Sequence, residues 1–548
     1  MLRQQVSERT EYGDSVDLGT PAQEGRSVAR AAGLLGILTF LSRILGLARD
    51  VGQAAVLGTG VSADAFTIAF IIPNILRRLF GEATVASALV PTYTELLVTE
   101  GAERAGKLAG RILTFTGTAL VILVLLGMLL APVLVDVFAA GFSDIPGKSE
   151  LTSQLLKLLF PYILFVGLAS VCMGILNSHR HFLAPALAPI LFNLSALFGL
   201  FVLARTWMSS LPVWAYSMGV LAGGLLQLLV QVPFMKSRKV SIRPDFNWNS
   251  PAMKRVLHLA VPALIGLLAA EVNILVDQLI ASMLSGGSVA ALSYGLRVTQ
   301  VPQGIFAIAL ATALLPTLSR QTALGKLSEA GRTLNFSTVA LSGVMIPASL
   351  FMIVLAEPVI RVMFFRGEFS ESSLILTASS LRFYSVGMVF YASVKITAPV
   401  FYALKDTRTP VRIAVGCMGL NIVLNILFTI LFMRTGFAEP LGGLALASSV
   451  ASAVNLILLR HKLRGRVGRS TITSGNWLSL LLSGAVSLAF LLAVKSYVVS
   501  QAAGGLLQGM AAVGVTGIAL MIISMGVFLV SSGREIRGIL RRIVRRGS

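Results

Sequence analysis

Residues 29–57 read ARAAGLLGILTFLSRILGLARDVGQAAVL, an apolar stretch that is long enough to cross a bilayer and yet carries charges in its second half. A membrane-spanning helix needs about 20 mostly apolar residues. A charged side chain at the centre of a bilayer costs roughly 3 kcal/mol on insertion scales. We therefore expect Arg43, Arg49 and Asp50 to face a hydrated or ion-paired interior, and the stretch predicts a membrane helix that lines such an interior.

The rest of the chain repeats this apolar pattern. Of the 548 residues, 55% are hydrophobic and only 13% are charged, which is the balance of a polytopic membrane protein and excludes a soluble domain. The pattern predicts an all-α fold with about fourteen membrane spans, numbered in chain order: 29–57, 62–97, 108–140, 151–178, 182–205, 212–235, 252–284, 288–319, 331–364, 372–404, 409–433, 440–460, 475–500 and 505–532. Kinks are expected at Pro73, Pro91, Pro302 and Pro316.

Lysine and arginine are unevenly distributed between the connections, and this distribution orients the chain. The connections after even-numbered spans are basic, whereas those after odd-numbered spans, such as GTGVSA at 58–63 and RGEFSESS at 366–373, are short and carry few basic residues. Basic loops stay on the cytoplasmic side, so both termini are predicted to be cytoplasmic. The formal net charge of +21 is assigned to this topology rather than to a nucleic-acid partner.

Three sequence pairs recur at an offset of 225 residues and indicate an internal repeat. Ala-Leu…Pro-Thr at 88–92 recurs at 313–317, Leu-Thr at 151–152 recurs at 376–377, and Pro185 recurs as Pro410. Two six-span units inserted in the same orientation form two lobes that can rock about a cleft. The predicted segments are a disordered cytoplasmic tail (1–27), an N-terminal lobe with spans 1–6 (28–240), a C-terminal lobe with spans 7–12 (241–464), spans 13–14 (465–533) and a basic cytoplasmic tail (534–548).

Polar residues within the predicted spans are the candidates for function. Span 2 contains Asp64, Asn74, Arg77 and Arg78, and span 8 contains Arg297. Guanidinium groups bind phosphate through two parallel hydrogen bonds, so an interior lined with arginine suits a phosphate-bearing anion. The alternative interpretation is that some of these side chains reach the headgroups or form structural ion pairs.

A second polar group lies in the C-terminal half. Asp277, Asn421, Asn425 and Ser448 supply a carboxylate, two amide oxygens and a hydroxyl, which are ligands that suit Na⁺. Small polar residues also pack helices together, and this alternative stays open. No phosphate-binding-loop sequence is present, so we expect neither an ATP-driven motor nor an enzyme with covalent chemistry.

Several segments resemble the MurJ/MviN family of bacterial lipid II flippases, which belongs to the multidrug/oligosaccharidyl-lipid/polysaccharide exporter superfamily. They are SRILGLARD (42–50), Ala-Asp-Ala-Phe (63–66), PNILRRLFGE (73–82), ALVPTYTE (88–95) and LLKLLFPYILFVGLASVCMGILNS (155–178). The resemblance covers about residues 30–530. It implies two six-helix lobes in a V, a central cationic cavity and a groove at spans 13–14 for a lipid tail.

The resemblance also implies roles for individual residues. It matches Ser42, Arg43, Arg49, Asp64, Arg77, Glu82 and Arg297. Together with Asn74, which lies within one helical turn of the arginines of span 2, these residues are expected to bind the diphosphate and head group of the substrate. Asp277, Asn421 and Asn425 are similar to a Na⁺ site of some relatives, and Na⁺ is the one cofactor expected, as a coupling ion.

The function implied is export of lipid II, an undecaprenyl-diphosphate-linked disaccharide-pentapeptide, from the inner to the outer leaflet of the cytoplasmic membrane by alternating access. The expected partners are this substrate and membrane lipids, and the protein is expected to act as a monomer. One alternative is a flippase for another polyprenyl-diphosphate-linked glycan. A drug/cation antiporter is less favoured, because its cavity would be acidic. A third alternative is a non-transporting scaffold that recruits wall-synthesis proteins.

Overall fold

The structure, a computed structural model, describes residues 21–79, 88–238, 240, 243–467 and 474–531. The first half of the chain forms α1 (Pro21–Leu57), α2 (Val61–Arg77), α3 (Val90–Thr99), α4 (Ala102–Leu129), α5 (Ala131–Phe138), α6 (Lys148–Leu159), α7 (Tyr162–Ser178), α8 (Leu183–Phe198), α9 (Pro212–Leu229) and α10 (Val232–Ser237). The second half forms α11 (Pro251–Ser282), α12 (Ser288–Pro302), α13 (Ile308–Ala323), α14 (Leu327–Val354), α15 (Ala356–Phe364), α16 (Glu371–Ala403), α17 (Arg408–Thr435), α18 (Pro440–Val467), α19 (Ser474–Gly504) and α20 (Leu506–Ser531).

The predicted fold class, an all-α polytopic membrane protein with two related lobes and two further helices, is confirmed. Within the described residues, eleven helical segments are long and apolar enough to cross a membrane. The three other predicted spans correspond to α1, to α2 together with α3, and to α11; residues 80–87 of the second lie outside the described residues. Residues 1–20 and the predicted basic tail 534–548 lie outside the described residues. The predicted disordered tail 1–27 is too long, because α1 begins at Pro21 and residues 21–27 are helical. The predicted segment boundaries near 240 and 464 stay predictions.

Two predicted spans are too long at their C-terminal ends. Span 3 was expected to reach residue 140 and span 9 residue 364, but α4 ends at Leu129 and α14 ends at Val354. A separate short helix follows each of them. Pro132 and Pro358 lie in the first turns of these short helices, where a missing backbone N–H breaks no helical hydrogen bond.

The helix bounds repeat with the predicted offset of 225 residues. α4 begins at residue 102 and α14 at residue 327, and the ends of the two helices are separated by the same number. The turn between α7 and α8 matches the turn between α16 and α17. Arg180 and Lys405 occupy the same place in these turns and both have positive φ, 55° and 58°, which is uncommon for residues other than glycine. The two lobes therefore share one architecture down to single backbone angles.

The prolines predicted to kink helices have different surroundings. Pro302 ends α12 and is followed by one turn of π-helix, Gln303–Ala307, a feature that is frequent at functional sites. Pro73 and Pro316 lie inside α2 and α13. Pro91 lies in the first turn of α3, directly after the π-helical residues 88–89. The π-helical turn places Gly304 beside Arg43 of the first lobe, as described below.

α11 packs against both lobes. Near its start, Met253 and Val256 belong to the same apolar cluster as Leu108 of α4 in the first lobe. Near its end, the Asp277 carboxylate accepts a hydrogen bond from Asn425 of α17 in the second lobe. One helix therefore connects the two lobes along their length.

The connection that precedes α11 is fixed to the first lobe. Arg111 of α4 donates a hydrogen bond to Asp245 through its Nε at 2.7 Å. The backbone also approaches α4 closely at Gly110, where a Cβ atom would lie 2.5 Å from the carbonyl oxygen of Arg243. The connection is thus expected to move with the first lobe.

Candidate functional site

Four connections meet at one end of the helix bundle and join the two lobes there. This contact region, called the closed end below, comprises residues 58–60, 139–147, 283–287 and 365–370. Thr59 donates a hydrogen bond to the hydroxyl of Ser373 at 2.8 Å. The backbone N–H of Glu368 donates to the carbonyl oxygen of Ala55 at 2.9 Å. These bonds link connections of the first lobe to connections of the second, so the bundle is shut at this end.

Asp64 lies buried within the closed end. Lys148 donates to its Oδ2 at 2.7 Å, and only 2% of the Lys148 side chain and 1% of the Asp64 side chain are exposed. The backbone N–H groups of Gly287 and Ala290 each donate to the same carboxylate at 2.8 Å. Asp64 therefore caps α12 of the other lobe, where the helix dipole favours a negative charge. Asp64 was predicted to bind the substrate. In this conformation it is enclosed by protein and joins the lobes.

Asp50 joins the lobes a second time, through two arginines. Its Oδ1 accepts hydrogen bonds from Arg49 at 2.9 Å and from Arg297 of α12. Arg49 also donates to Asn193 at 3.1 Å and lies over the ring of Phe192. One carboxylate thus serves two guanidinium groups, each of which has five N–H donors. The group keeps a net positive charge, and the Arg297 side chain is 31% exposed, so an anion can reach it.

Two further arginines lie at the end of α2. Arg77 donates through its Nε to the side-chain oxygen of Asn74 at 2.9 Å, as their spacing of three residues allows. Arg78 donates to Glu271 of α11 at 3.1 Å, which makes a further bond between the lobes. The Arg78 side chain remains 38% exposed. The interpretation of Arg78 as part of an ion pair therefore agrees with this conformation.

Arg43 is the most accessible of the predicted arginines. Its side chain is exposed, and within the described part of the chain it forms neither a hydrogen bond nor an ion pair. One of its terminal nitrogens lies 3.4 Å from the position that a Cβ atom on Gly304 would occupy. Gly304 belongs to the π-helical turn of the second lobe, so Arg43 faces that lobe across the space between them.

Asn193 is a site residue that the sequence interpretation missed. Its amide accepts from Arg49 and donates to the carbonyl oxygen of Ser42 at 3.1 Å. It therefore fixes both the backbone of α1 and one arginine of the cluster. Ser42 contributes this carbonyl to the site, and Glu82, another predicted site residue, lies outside the described residues.

The residues predicted to bind Na⁺ come together in the second lobe. Asn425 donates to one Asp277 oxygen at 2.6 Å and Ser448 donates to the other at 3.5 Å, and Asn421 lies beside both. Asp277 is buried, and no basic side chain pairs with it among the residues whose side chains are described. The Oδ1 atom of Asn425 is buried and has no hydrogen-bond partner in that part of the chain. An unpaired buried carboxylate is costly, and a cation held by these oxygens would remove that cost.

A cavity of about 480 Å³ lies beside this group. Asn273, Asn421 and Ser448 line it on one side, and Tyr391 and Lys395 of α16 line it on another. The rest of its wall is mostly apolar. The cavity gives a small ion a path to the buried polar group.

Similarity to known proteins agrees with this architecture. The family described as lipid II flippase MurJ matches residues 53–516. The chain is 35% identical over 436 residues to the probable lipid II flippase MurJ of Vibrio cholerae serotype O1, covering 78% of this chain and 81% of that protein. It is 33% identical over 437 residues to the lipid II flippase MurJ of Burkholderia cenocepacia, covering 78% of this chain and 82% of that protein.

Two solved structures are also similar. One, described as lipid II flippase MurJ in an inward closed conformation, aligns with a TM-score of 0.72 and 25% identity over 92% of this chain and 99% of its own. An inward-facing multidrug transporter of the MATE family aligns with a TM-score of 0.63 and 14% identity over 78% of this chain and 96% of its own, which shows a shared fold alone. On the family match and the identity to its relatives, this chain belongs to the MurJ family of lipid II flippases.

Proposed function

We propose that the protein moves lipid II from the inner to the outer leaflet of the bacterial cytoplasmic membrane by alternating access. The observation that carries the proposal is the cluster around Asp50, where arginines of both lobes meet in a family of lipid II flippases. Such a cluster is able to bind a diphosphate, and its geometry depends on the relative position of the lobes. Binding and movement need no covalent chemistry.

The diphosphate is the part of the substrate that opposes transfer. Moving it through hydrocarbon would remove its hydration without compensation. Arg43, Arg49, Arg77 and Arg297 would replace that hydration with charged hydrogen bonds. The polyprenyl tail is apolar and would stay outside, along the lipid-facing surface of α19 and α20, where we place the tail groove.

The closed end fits a state that accepts substrate from the cytoplasmic side. The connections at this end carry few basic residues, so the positive-inside rule places them on the outer side and both termini in the cytoplasm. Release of the head group would require Asp64 to leave the first turn of α12.

The membrane potential, negative inside, favours outward movement of an anion by about 2.3 kcal/mol per charge per 100 mV.

Na⁺ binding is proposed as a second driving force. Asp277, Asn421, Asn425 and Ser448 would hold the ion, and support comes from the buried, unpaired carboxylate and the unpartnered amide oxygen described above. When bound, the ion supplies a charge that neutralises Asp277. We expect NaCl, and not choline chloride, to stabilise the purified protein. The effect should be lost in Asp277→Asn.

Depletion of the protein in cells tests the main proposal. Lipid II should accumulate in the inner leaflet, and wild type should reverse the accumulation while Arg43→Ala should not. Arg104→Ala is the matched control, since Arg104 is exposed and pairs with Glu100 in the turn that precedes its helix. Accumulation of a different polyprenyl-linked glycan would favour the alternative substrate. Full rescue by Arg43→Ala would contradict a role for the arginines in transport.

A further inference from the structure

Lys395 lies within a predicted span, on the wall of the cavity beside Asp277. It belongs to the C-terminal third of α16, and its side chain is exposed and lines the cavity. Within the described residues it forms no ion pair. Its Nζ donates one hydrogen bond, to the side-chain oxygen of Gln303 at 3.2 Å. An ionisable side chain within a predicted span is a candidate for function, and the one described partner of this ammonium is neutral.

Lys395 is close to the proposed cation ligands. Tyr391 precedes it by four residues and contacts Ser448 of that group. Residues four apart on a helix have Cβ atoms about 5–6 Å from each other. Lys395, Tyr391 and Ser448 line the same cavity, and Ser448 donates to Asp277. The flexible lysine side chain thus shares this space with a neighbour of Asp277, which is a buried carboxylate without a basic partner among the described side chains.

Gln303, the hydrogen-bond partner of Lys395, lies next to the surface that faces the other lobe. It is buried and begins the π-helical turn that follows Pro302. The next residue, Gly304, is the one that Arg43 approaches from the other lobe. The hydrogen bond between Lys395 and Gln303 therefore connects the cavity beside Asp277 with the surface that faces Arg43, a residue proposed to bind the substrate.

We propose that Lys395 is a tethered competitor of the cation for Asp277. With the cation bound, the ammonium is repelled and stays on Gln303, where it supports the π-helical turn opposite Arg43. When the cation leaves, the ammonium moves to the Asp277 group and the bond to Gln303 breaks. Lys395 is thus a positioning residue that transmits cation occupancy to the space between the lobes. The inference rests on the proposed cation site and adds a residue to it.

Na⁺-dependent thermal unfolding of the purified full-length protein tests the inference, with choline chloride keeping the ionic strength constant. A ligand stabilises the folded state in proportion to the logarithm of its concentration relative to its Kd, so the apparent Kd for Na⁺ can be obtained from a titration. Lys395→Met removes the competitor and should lower this Kd by about fivefold or more, within the range of typical coupling between sites. Gln303→Leu frees the lysine to visit Asp277 and should raise the Kd.

The double variant and the controls separate the outcomes. In Lys395→Met with Gln303→Leu, the Kd should equal that of Lys395→Met alone, because the glutamine acts only through the lysine. Lys395→Arg keeps the charge and should stay near wild type. Lys405→Met removes a positive charge from the exposed turn before α17 and should also leave the Kd unchanged. Lys395→Gln, which keeps a donor for Gln303, replaces Lys395→Met if the latter does not fold.

Two failures are distinguishable. If wild type shows no response to Na⁺, both the cation site and the competitor are wrong. If Na⁺ stabilises wild type and Asp277→Asn abolishes the effect, but Lys395→Met and Lys395→Gln bind Na⁺ as wild type does, the cation site stands and the role of Lys395 is wrong.

Discussion

Asp50 of α1 and Arg297 of α12 form an ion pair that crosses from one lobe to the other. The same carboxylate oxygen is bound by Arg49, so the two arginines share one acceptor. A diphosphate that enters this space offers more oxygens and more negative charge than Asp50 does. The substrate therefore competes with the interlobe pair, and its binding is linked to the contact between the lobes.

Asp50→Asn should raise affinity for the diphosphate while it reduces transport. The amide has the size of the carboxylate but no charge, so it competes less for Arg49 and Arg297. We expect undecaprenyl diphosphate to bind about tenfold more tightly, equivalent to about 1.4 kcal/mol, as measured by titration of the purified protein. Asp136→Asn is the control, because Asp136 is exposed on α5. Equal affinity of Asp50→Asn and wild type would show that Asp50 does not compete with the substrate.

Arg43→Lys and Arg297→Lys should each impair export although the charge is kept. Lysine lacks the planar fork that binds two phosphate oxygens at once. We expect at least about a tenfold loss, the effect of about 1.4 kcal/mol, measured as inner-leaflet lipid II in cells that express only the variant. Arg104→Lys on the exposed start of α4 should export normally. Full activity of both variants would contradict bidentate binding of the diphosphate.

Lys148→Met should destabilise the closed end. Removing one partner of a buried ion pair leaves the other charge uncompensated, at a cost of about 3–5 kcal/mol. Asp64→Asn combined with Lys148→Met removes both charges, so the double variant should be more stable than the sum of the single effects predicts. Thermal unfolding of the three variants measures this coupling. Additive effects would mean that the two side chains do not interact.

Gly367→Ala should loosen the closed end, whereas Gly147→Ala should not. Both glycines have positive φ, 59° and 76°, so a methyl group strains the backbone at either place. Only at Gly367 would the added Cβ also collide with the first lobe, at the carbonyl oxygen of Ala55; the space around Gly147 is open. We expect faster labelling of a cysteine introduced at Thr59 in Gly367→Ala. Equal labelling in both variants would assign the effect to backbone strain alone.

Asp406→Asn should remove a pH dependence at the start of α17. The hydroxyl and backbone N–H of Thr409 donate to Asp406 and, with Arg466, lower the pKa of this partly buried carboxyl to about 2. The carboxylate therefore stabilises the turn above its ordinary pKa of about 3.9, and this contribution is lost as the pH falls toward 2. The protection factors of the amides in the first turn of α17, which are exchange rates corrected for the intrinsic pH dependence of amide exchange, should fall over this range in wild type. In Asp406→Asn these protection factors should be low and should not change with pH over the same range.

The fold was largely predictable because its signals are local or periodic. The length of each apolar stretch indicates a span, and a fixed offset indicates the repeat whichever residues fill it. The ends of spans 3 and 9 were wrong because apolar composition continues across the breaks at Leu130 and Leu355. Hydrophobicity alone does not distinguish one long helix from two short ones.

The site was predicted in part. A single arginine inside an apolar stretch is enough to indicate a polar interior. In the structure, the side chains of Arg43 and Arg297 are accessible to an anion. Lys148 was missed as the partner of Asp64 because it lies 84 residues away, in a connection that has few charges and predicts no site. Asn193 was missed although it carries the same sequence signal as Asn74, an amide side chain inside an apolar span.

The shared position of α11 has a consequence for how far the two lobes can rotate. Because this helix is anchored to both moving bodies, their rotation must either bend it or break its contacts with one of them. Opening the far side therefore has a cost that α11 itself imposes.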